Sequence, residues 1–414
     1  MAGEGTNRES VRRRNLATVL GHVHRAGRLS RSALTNSTGL NRSTVGTLVA
    51  DLAARGLVEE VEAVSSGTPG RPSPLVRPRH DRVVVFAADI WVGTISFAVA
   101  GLGGKLLYKQ RVPHPPERRS PEATVHDLTE LIDKALVEIG NGHTVLAMGV
   151  SVTGVVRSQD GFVHTAPNIG WRDVPLAEML HTHLADRLPV FVGNEADLGA
   201  TAEHVRGAGV GVDNLIYVSS EIGVGGGIII DGRPLAGAAG YGGEIGHMTV
   251  NPAGEPCRCG NVGCWETETG QRALLRRIGR SNGNEQDAVD AVLREAAAGS
   301  RRTLEALEHI GHWLGLGLAG LVNIFNPSRI VLGGMFAQAY PYLADAIRRE
   351  LDRRALAPAR GEVTVVSASL GEDSALLGAV ELAFSPLLAD PTIMPLPGED
   401  REMPGRRSLA ATAE

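Results

Sequence analysis

Residues 243–266 read GEIGHMTVNPAGEPCRCGNVGCWE, and this stretch holds all three cysteines of the 414-residue chain. Cys257, Cys259 and Cys264 lie within eight positions, and His247 precedes the first of them by ten residues. Three thiolates and one imidazole nitrogen complete the tetrahedral sphere that Zn²⁺ prefers and leave no position for water. The sequence therefore predicts a structural Zn²⁺ site at His247, Cys257, Cys259 and Cys264. The alternative is three unconnected buried thiols.

The length and the charge distribution predict more than one domain. A chain of 414 residues exceeds the roughly 250 to 300 residues that one hydrophobic core supports. Residues 1–82 contain thirteen arginines and seven acidic residues, a net charge of +6, whereas the whole chain carries −5. The remainder is therefore acidic, at −11, which indicates that only the amino-terminal part meets nucleic acid.

The apolar segments are too short for a membrane protein. The longest of them, around residues 314–325, falls short of the roughly 20 residues that a transmembrane helix needs. The amino terminus is polar and carries arginines instead of an apolar signal-peptide core. Thiols clustered as a metal site also indicate a reducing compartment. We therefore expect a cytoplasmic protein with no membrane partner.

The apolar pattern of residues 1–64 predicts a winged helix-turn-helix domain. A first amphipathic helix is expected to end near Gly27, and Ser30 is suited to cap a second, short helix. Asn41 is suited to cap a third helix after a glycine-containing turn. Residues 57–61 have the pattern of one strand of the wing.

The third helix is the one expected to contact DNA. In a helix-turn-helix, the second helix of the pair enters the major groove by its amino-terminal residues, which reach base edges and phosphates. A double-stranded DNA operator is therefore the expected partner, and the expected contacts are Asn41, Arg42, Ser43, Thr44 and Thr47. The alternative is a three-helix bundle that binds something else.

A proline-rich linker, residues 65–82, is expected to follow this head. Its sequence GTPGRPSP at 67–74 excludes a helix or a central strand and favours an extended chain. Arg71 stands between Gly70 and Pro72, and an arginine in such a segment can lie in a narrow minor groove. Arg71 is therefore a further expected DNA contact. A semi-rigid linker without that role is an equal alternative.

Residues 83–385 alternate short apolar strands with helical and glycine-rich segments, which predicts an α/β body of two lobes. The first lobe is expected at 83–193, together with a carboxyl-terminal helix at 374–385. The second lobe, with the zinc loop, is expected at 194–373. Beyond these lobes, residues 386–414 contain several prolines and a polar run, and we expect them to be disordered.

Glycine makes up 52 of the 414 residues, a share well above the usual one of about 7%. The run EIGVGGG at 221–227 is of a kind that brings backbone N–H groups close to an anion, because no Cβ stands in the way. Taken alone, however, such a run is more typical of a tight turn packed against a neighbouring strand.

The order of these features resembles the ROK family, which joins repressors, open reading frames and sugar kinases. The metal segment is its most specific part, and the supporting motifs are PN at 167–168, GNEA at 193–196, NPSRIVLGG at 326–334 and SALLGA at 374–379. With the winged head in front, the chain is similar to the transcription-factor branch, that of the N-acetylglucosamine and xylose repressors. The resemblance covers about residues 11–382. It implies an actin-like, hexokinase-type pair of lobes with a cleft for a sugar.

The resemblance also implies which residues contact that sugar. A sugar presents several hydroxyls that both donate and accept, and carboxylates, amides and an imidazole can satisfy them. The family positions that contact sugar are occupied here by Asn168, Asn194, Glu195, Glu244, His247 and Glu266. His247 would use one ring nitrogen for zinc and the other for a hydroxyl, so that the metal holds the pocket wall. For any one of these residues, a structural hydrogen bond in a loop is the alternative.

Three departures from the family's kinases predict that phosphoryl transfer is lost. Trp91 and Val92 follow the first strand of the body where the kinases have two glycines, so side chains would obstruct the phosphates. Glu195 replaces the aspartate general base, and its extra methylene moves the carboxylate by about 1 Å or more. Glu221 begins the second phosphate loop instead of glycine, and its carboxylate would repel the transferred phosphate.

Together these features predict a DNA-binding transcriptional regulator of carbohydrate metabolism, expected to be a repressor, with a sugar or sugar phosphate as effector. Closure of the lobes on the ligand would change the spacing of paired heads, and a coupling of about 1–3 kcal/mol changes operator affinity about 5- to 150-fold. Two recognition helices must reach half-sites about 34 Å apart, so a homodimer or a dimer of dimers is expected. The alternative is a glucokinase-like sugar kinase with a regulatory head.

Overall fold

The computed structural model describes residues 8–62, 74–184, 188–280 and 285–396. Its amino-terminal head contains three helices and a three-stranded sheet: α1 (Arg8–Ala26), β1 (Leu29–Ser30), α2 (Arg31–Thr38), α3 (Arg42–Ala54), β2 (Val58–Val61) and β3 (Leu75–Pro78). Strand β3 lies between β1 and β2 and is antiparallel to both. Apolar side chains of the three helices pack with those of β2 and β3 in one core. The head is therefore a winged helix-turn-helix, as the sequence predicts.

Local signals set the ends of the head helices. The side chain of Ser30 accepts a hydrogen bond from Ala33 N (3.0 Å), and that of Asn41 accepts one from Thr44 N (2.8 Å). Helix α2 ends at Gly39, whose φ of 68° lies in the left-handed region that favours glycine. The predicted caps of α2 and α3 are thereby confirmed.

The wing extends further along the chain than the sequence indicates. Strand β3 lies inside residues 65–82, for which the sequence predicts a linker. It pairs along both edges, with Leu29 opposite Val76 on one side, and pairing between such distant residues leaves no local pattern. The linker therefore ends before Leu75 and not, as the sequence predicts, at residue 82. Residues 63–73, and with them Arg71 and most of the predicted extended segment, lie outside the described residues.

The first lobe of the body is built on a five-stranded sheet. Its elements are β4 (Val83–Ile90), β5 (Thr94–Gly101), β6 (Lys105–Pro113), α4 (Pro121–Ile139), β7 (Thr144–Val152), β8 (Val155–Arg157), β9 (Phe162–Ala166), β10 (Trp171–Val174), α5 (Leu176–His183) and β11 (Val190–Asn194). The strand order is β11-β7-β4-β5-β6, with β4, β5 and β6 forming an antiparallel meander and β7 parallel to β4 and β11. Strands β8, β9 and β10 form a separate small antiparallel sheet.

The second lobe has its own five-stranded sheet. Its elements are α6 (Glu195–Arg206), β12 (Leu215–Ser220), β13 (Val224–Ile230), β14 (Arg233–Pro234), α7 (Trp265–Thr269), α8 (Gln271–Arg277), α9 (Glu285–Ala297), α10 (Arg301–Phe325), β15 (Arg329–Gly333), α11 (Gly334–Arg354), α12 (Ala357–Glu362) and β16 (Thr364–Ser367). The strand order is β14-β13-β12-β15-β16. Helix α13 (Ser374–Ala389) then returns to the first lobe and packs on α6, β4 and β7. Within the described ranges, every helix is too short or too polar for a membrane span.

The glycine run at 221–227 forms a hairpin turn and most of a strand. Strands β12 and β13 pair up to Ser220 and Val224, so the turn between them is short. A Cβ on Gly226 would lie 2.1 Å from Ile245 Cδ1, and a Cβ on Gly227 would lie 2.4 Å from the Ala200 methyl. The glycines therefore allow neighbouring elements to approach β13, which agrees with the expectation of a tight turn packed against a neighbouring strand.

The head is docked on the body through a buried carboxylate. His24 of α1 is 0% exposed and donates through Nε2 to Glu381 of α13 (3.0 Å), while Gly103 N–H donates to its Nδ1 (3.0 Å). Arg206, the last residue of α6, donates to the same carboxylate (2.7 Å) and to Gly103 O (2.7 Å). Burial alone would raise the pKa of Glu381, but His24 and Arg206 lower it below its ordinary value. The carboxylate of Glu381 on α13 thus contacts both the head, through His24, and α6, through Arg206.

The last described residues belong to the same contact. Helix α13 continues to Ala389, and the buried Met394 accepts a hydrogen bond at its carbonyl from Arg55 of the head. The disorder that the sequence predicts from residue 386 onwards therefore does not hold for 386–396. Apolar side chains of residues 386–396 pack in one core with those of the docked head. The local sequence does not reveal this partner. Residues 397–414 lie outside the described residues.

Candidate metal centre and ligand cleft

The structure brings the four predicted metal ligands together. One ligand atom from each of His247, Cys257, Cys259 and Cys264 lies within 4.8 Å of every other. His247 Nδ1 is 3.7 Å from Cys257 Sγ, and Cys259 Sγ is 3.6 Å from Cys264 Sγ. Ligands of a tetrahedral Zn²⁺, bound at about 2.3 Å through sulfur and about 2.0 Å through nitrogen, lie about 3.5–3.8 Å apart. The donor set and its spacing therefore fit one zinc ion.

The backbone of the metal loop requires glycine and is anchored by a buried tryptophan. Gly260 N–H closes a turn by donating to Cys257 O (3.0 Å). Gly263 has a φ of 69°, and a Cβ there would lie 1.5 Å from Asn251 O, so no other residue fits. Trp265, directly after the last cysteine, is fully buried and donates through Nε1 to a carbonyl of α10 (2.9 Å). The internal turn and the buried Trp265 thus fix the part of the loop that carries the cysteines.

His247 directs one ring nitrogen to the cysteines and the other to Glu244, on the side where the resemblance implies a sugar cleft between the lobes. Its Nδ1 faces Cys257, and its Nε2 lies 3.8 Å from Glu244 Oε2. Glu266 Oε1 lies 3.7 Å from His247 Nδ1 and 2.9 Å from Cys257 Sγ. Three of the predicted sugar contacts, Glu244, His247 and Glu266, therefore form one group beside the metal ligands.

Glu195 and Asn168 bring the remaining wall of the cleft to this group. Burial raises the pKa of Glu195 well above its ordinary value, and the nearby carboxylates of Glu244 and Asp89 add to the effect. Asn168, in the turn after β9, accepts a hydrogen bond from Arg258 of the metal loop at 3.4 Å. Residues of both lobes therefore meet at the cleft.

Asn194 differs from the other predicted contacts because its side chain is fully used. Its Oδ1 accepts from Ala196 N (2.8 Å) and Asp197 N (3.2 Å), and its Nδ2 donates to Gly154 O (2.9 Å) and Glu195 Oε2 (2.8 Å). A carboxamide has two donor hydrogens and two acceptor lone pairs, so these four bonds leave none for a ligand. Asn194 caps α6 and holds Glu195 in the cleft wall.

Three further carboxyl groups with raised pKa values belong to this region. Burial raises the pKa of Asp89 to about 6, that of Glu221 to about 7 and that of Asp197 to about 7. The charge of Asp89 adds to the shift of Glu221, and that of Glu244 adds to the shift of Asp197. Such groups are partly protonated near neutral pH, so they can donate as well as accept hydrogen bonds.

Sequence reasoning does not assign Asp89 or Asp197 to the cleft. Asp197 lies two residues after Glu195 in the first turn of α6, a spacing that does not place two side chains on one helix face, so no local pattern marks it. Asp89 lies near the carboxyl end of β4, opposite Ser151 of β7, where the ends of parallel strands meet. Asp89 Oδ1 has no hydrogen-bond partner among the described residues.

The residues predicted to contact DNA lie in and just before the first turns of α3. Asn41 accepts hydrogen bonds from Thr44 N (2.8 Å) and Ser43 Oγ (2.7 Å), and Thr47 Oγ1 donates to Ser43 O (3.1 Å). Arg42 is exposed, and in the described part of the chain its side chain has no hydrogen bond or ion pair. The Arg42 side chain is therefore free to meet a partner.

Comparison with known proteins matches both parts of the chain. The ROK family model matches residues 85–385, and the MarR family model matches residues 16–71. The xylose repressor of Bacillus spizizenii is 32% identical over 371 residues, which cover 89% of this chain and 94% of that protein. The similarity to this relative therefore includes the head as well as the body.

Solved structures agree with this division. A ROK family transcriptional regulator, a homologue of the Escherichia coli MLC protein, superposes with a TM-score of 0.74 at 24% identity and covers 92% of this chain and 97% of that one. A ROK family glucokinase from Streptomyces griseus, in complex with glucose and AMPPNP, gives a TM-score of 0.62 at 30% identity and covers 73% of this chain and 99% of that one. The first likeness extends over head and body, whereas the second is about the size of the body.

Proposed function

The chain belongs to the ROK family, and because a MarR-type head precedes its body, we propose that it is a DNA-binding transcriptional regulator of carbohydrate metabolism. The observation that carries the proposal is the first turn of α3, which Asn41 caps and from which Arg42 is exposed without a partner among the described residues. A recognition helix enters the major groove by such a turn. Similarity to a xylose repressor over nearly the whole chain favours repression.

The DNA contact is tested by Arg42→Ala in the full chain. Fluorescence anisotropy with a labelled fragment of the promoter upstream of the gene measures the affinity. Loss of one base-reading arginine is expected to weaken binding by about 1–3 kcal/mol, while the melting temperature stays the same. Arg172→Ala removes the same charge from an exposed site on the first lobe and serves as the control. Unaltered affinity in Arg42→Ala, or an equal loss in both variants, contradicts the assignment.

The proposed partner is a double-stranded DNA operator, bound by a homodimer or a dimer of dimers. A single recognition helix reads one half-site, and two such helices must reach half-sites about 34 Å apart. A closed two-fold assembly supplies this pair of heads most simply. Sedimentation analysis of the chain, alone and with the promoter fragment, measures the assembly. A monomer in both states would contradict this part of the proposal.

The proposed effector is a sugar or sugar phosphate held between the lobes. Glu195, Glu244, His247 and Glu266 offer carboxyl and imidazole groups on one side, and Asn168 offers an amide from the other lobe. Such a mixed set matches the donors and acceptors of sugar hydroxyls. Asn194 is expected to act through Glu195, because its own amide is used in the cap of α6.

Zn²⁺ is the proposed structural cofactor, with His247, Cys257, Cys259 and Cys264 as its ligands. When bound, the ion would supply a fixed cross-link between the metal loop and the turn that carries His247. All four positions of its coordination sphere would be filled by protein, so a structural role follows. His247 would remain oriented with Nε2 toward Glu244 and the cleft.

We also propose that the body does not transfer phosphate. Trp91 and Val92 form the turn after β4, and both side chains are half-buried there. Glu221 Oε1 lies 2.7 Å from the position that a Cβ on Gly334 would occupy, beside the first residue of α11. The amino terminus of a helix favours an anion, and here a carboxylate of the chain already occupies that place. A nucleotide phosphate would therefore meet steric opposition, and electrostatic opposition as well in the fraction of molecules in which Glu221 is ionised.

The second candidate function is a sugar kinase with a regulatory head, favoured by the likeness to the Streptomyces griseus glucokinase. A coupled assay with ATP and a panel of monosaccharides separates the two functions. Turnover of about 1 s⁻¹ or more, the low end for ordinary enzymes, would support the kinase. Sugar binding in calorimetry without turnover would support the sensor.

Helix α6 offers a physical connection from the cleft to the head. Its first residue, Glu195, lies in the cleft, and its last residue, Arg206, shares the Glu381 carboxylate with His24 of the head. A helix of 12 residues is about 18 Å long and moves as one unit. Closure of the lobes on a sugar would shift α6 against α13 and so alter the docking of the head. If the sugar binds with different affinity to the protein before and after this change in head position, it also changes the affinity for the operator.

A further inference from the structure

A cavity lies between the head and the body, away from the cleft. Its volume is about 340 Å³, and it is bounded by the end of α1, by β1 and α2 on the head side and by residues 204–213 on the body side. Leu29, Val205 and Val212 form apolar parts of its wall. Within the described residues, it shares no lining residue with the cleft or with the metal centre. The volume lies in the range of pockets that hold small organic ligands, which begins at about 300 Å³.

Three basic side chains line this cavity without a bonded partner. The head contributes His22 and Arg25, and the body contributes His204. In the described part of the chain, none of these three side chains has a hydrogen bond or an ion pair. Burial lowers the pKa of both imidazoles, and the Arg25 charge lowers both further. The charge of Arg25 thus affects both His22, on the head side, and His204, on the body side. All three groups therefore lie around one space.

Asp213 is the single carboxylate among the described lining residues. It lies beside His204, because a Cβ on Gly232 would be 3.6 Å from Asp213 Oδ1 and 4.0 Å from His204 Cε1. Its charge acts on the His204 pKa in the direction opposite to burial and to Arg25. One exposed carboxylate cannot satisfy two imidazoles and a guanidinium. The cavity therefore retains unused hydrogen-bond donors, among them the exposed guanidinium of Arg25.

We propose that this cavity binds a small anion of the phosphate-monoester class, in contact with the head and the body together. A phosphate monoester has three terminal oxygens, and Arg25, His22 and His204 offer donors from different sides of the space. Guanidinium groups bind phosphate through charge-assisted hydrogen bonds with fixed geometry. The apolar wall accommodates the organic part of the ligand. Since the donors belong to both walls, the bound anion stabilises the docked position of the head.

The two imidazoles give this site a characteristic proton linkage. A phosphate dianion favours the charged form of an imidazole beside it, so binding takes up protons on His22 and His204. The charged groups that face these imidazoles are Arg25 on the head side and Asp213 on the body side. Above about pH 7, where a phosphate monoester is mainly a dianion, binding is therefore tighter at pH 7 than at pH 8.

The test uses the full, zinc-loaded chain and phenyl phosphate, which has an apolar ring and lacks the hydroxyls that the cleft would recognise. Isothermal titration calorimetry in two buffers of different protonation enthalpy measures both affinity and proton uptake. Arg25→Ala is expected to weaken binding about tenfold or more, and Asp213→Asn is expected to strengthen it. Arg14→Ala removes the same charge from an exposed position on α1 and is expected to change nothing. His204→Gln, on the body side, is expected to abolish part of the proton uptake.

Several outcomes overturn the proposal. Phenyl phosphate does not bind, or Arg14→Ala weakens its binding as much as Arg25→Ala does. Benzoate binds as tightly with the same proton uptake, in which case the ligand class is wrong. These outcomes leave the sugar and operator assays untouched, because the probe does not address the cleft or the recognition helix.

Discussion

Replacing Asp89 by asparagine is expected to stabilise the protein, and the gain is expected to grow with pH. Asp89 is 8% exposed near the end of β4, and its Oδ1 has no hydrogen-bond partner among the described residues. Burial raises its pKa from 3.8 to about 6, while Ser151 and Arg111 act in the opposite direction. The folded protein therefore binds this proton more tightly than the unfolded chain does.

The size of the effect follows from these two pKa values. Where the folded pKa of a carboxyl group exceeds the unfolded one, stability is lost as the pH rises through the interval between them. For Asp89 this interval runs from 3.8 to about 6, and its width corresponds to about 3 kcal/mol once the pH exceeds about 7. About half of that loss has developed at pH 5. Asp89→Asn removes the ionisation, so the expected gain is about 1.5 kcal/mol at pH 5 and about 3 kcal/mol at pH 8.

Urea denaturation followed by tryptophan fluorescence, at pH 5 and at pH 8 with Zn²⁺ present, measures the gain in the free energy of unfolding. Asp133→Asn, at an exposed position on α4, is the matched control and is expected to leave stability unchanged at both pH values. A loss of stability in Asp89→Asn at pH 8, or an equal gain at the two pH values, would show that the Asp89 carboxyl group does not titrate with a raised pKa in the folded protein.

Two further changes address the metal centre and the head–body contact. Cys259→Ser is expected to release Zn²⁺ and loosen the metal loop, because three ligands hold the ion less well than four; about one zinc per chain in the variant, by elemental analysis, would contradict the ligand set. Glu381→Gln is expected to lower the free energy of unfolding by about 3 kcal/mol, because Arg206 loses its buried charge partner. Glu372→Gln, which breaks an exposed pair with Arg111, is expected to change it by less than about 1 kcal/mol. If the two variants lower the free energy of unfolding equally in denaturation experiments, the buried Glu381 pair does not stabilise the contact between head and body.

Features that neighbouring residues encode could be predicted from the sequence. The four metal ligands fall between positions 247 and 264, so a single loop can bring them together. The caps at Ser30 and Asn41 act on backbone N–H groups three residues further on. Neither signal depends on the packing of distant segments. The actin-like pair of lobes in the body is predicted from the order of the family motifs.

Features that depend on distant partners could not be predicted in this way. Strand β3 ends at Pro78 and directly follows Pro74, and only its pairing with β1 and β2 makes it a strand. His24 and Glu381 are 357 positions apart, and nothing near either residue indicates their contact. The burial of Met394 likewise requires the docked head. A pattern read over ten or twenty residues has no access to these contacts.

In the cleft, the residue types could be predicted but their hydrogen bonds could not. The sequence identifies Asn194 as a residue of the site, yet whether its amide is free depends on the backbone of α6 and on Gly154. Asp197 escapes prediction for a related reason. Its raised pKa comes from burial and from Glu244, which another segment of the chain supplies.

The central proposal is that the body binds a sugar and that this binding changes the affinity of the head for DNA. The most direct measurement is a titration of the promoter fragment with the full chain in the presence of each member of a panel of sugars and sugar phosphates. We expect at least one of them to change operator affinity about 5- to 150-fold. We also expect Glu195→Gln to lose this response while it still binds DNA without sugar. A chain that binds no promoter fragment under any of these conditions, yet phosphorylates a monosaccharide rapidly, would contradict the central proposal.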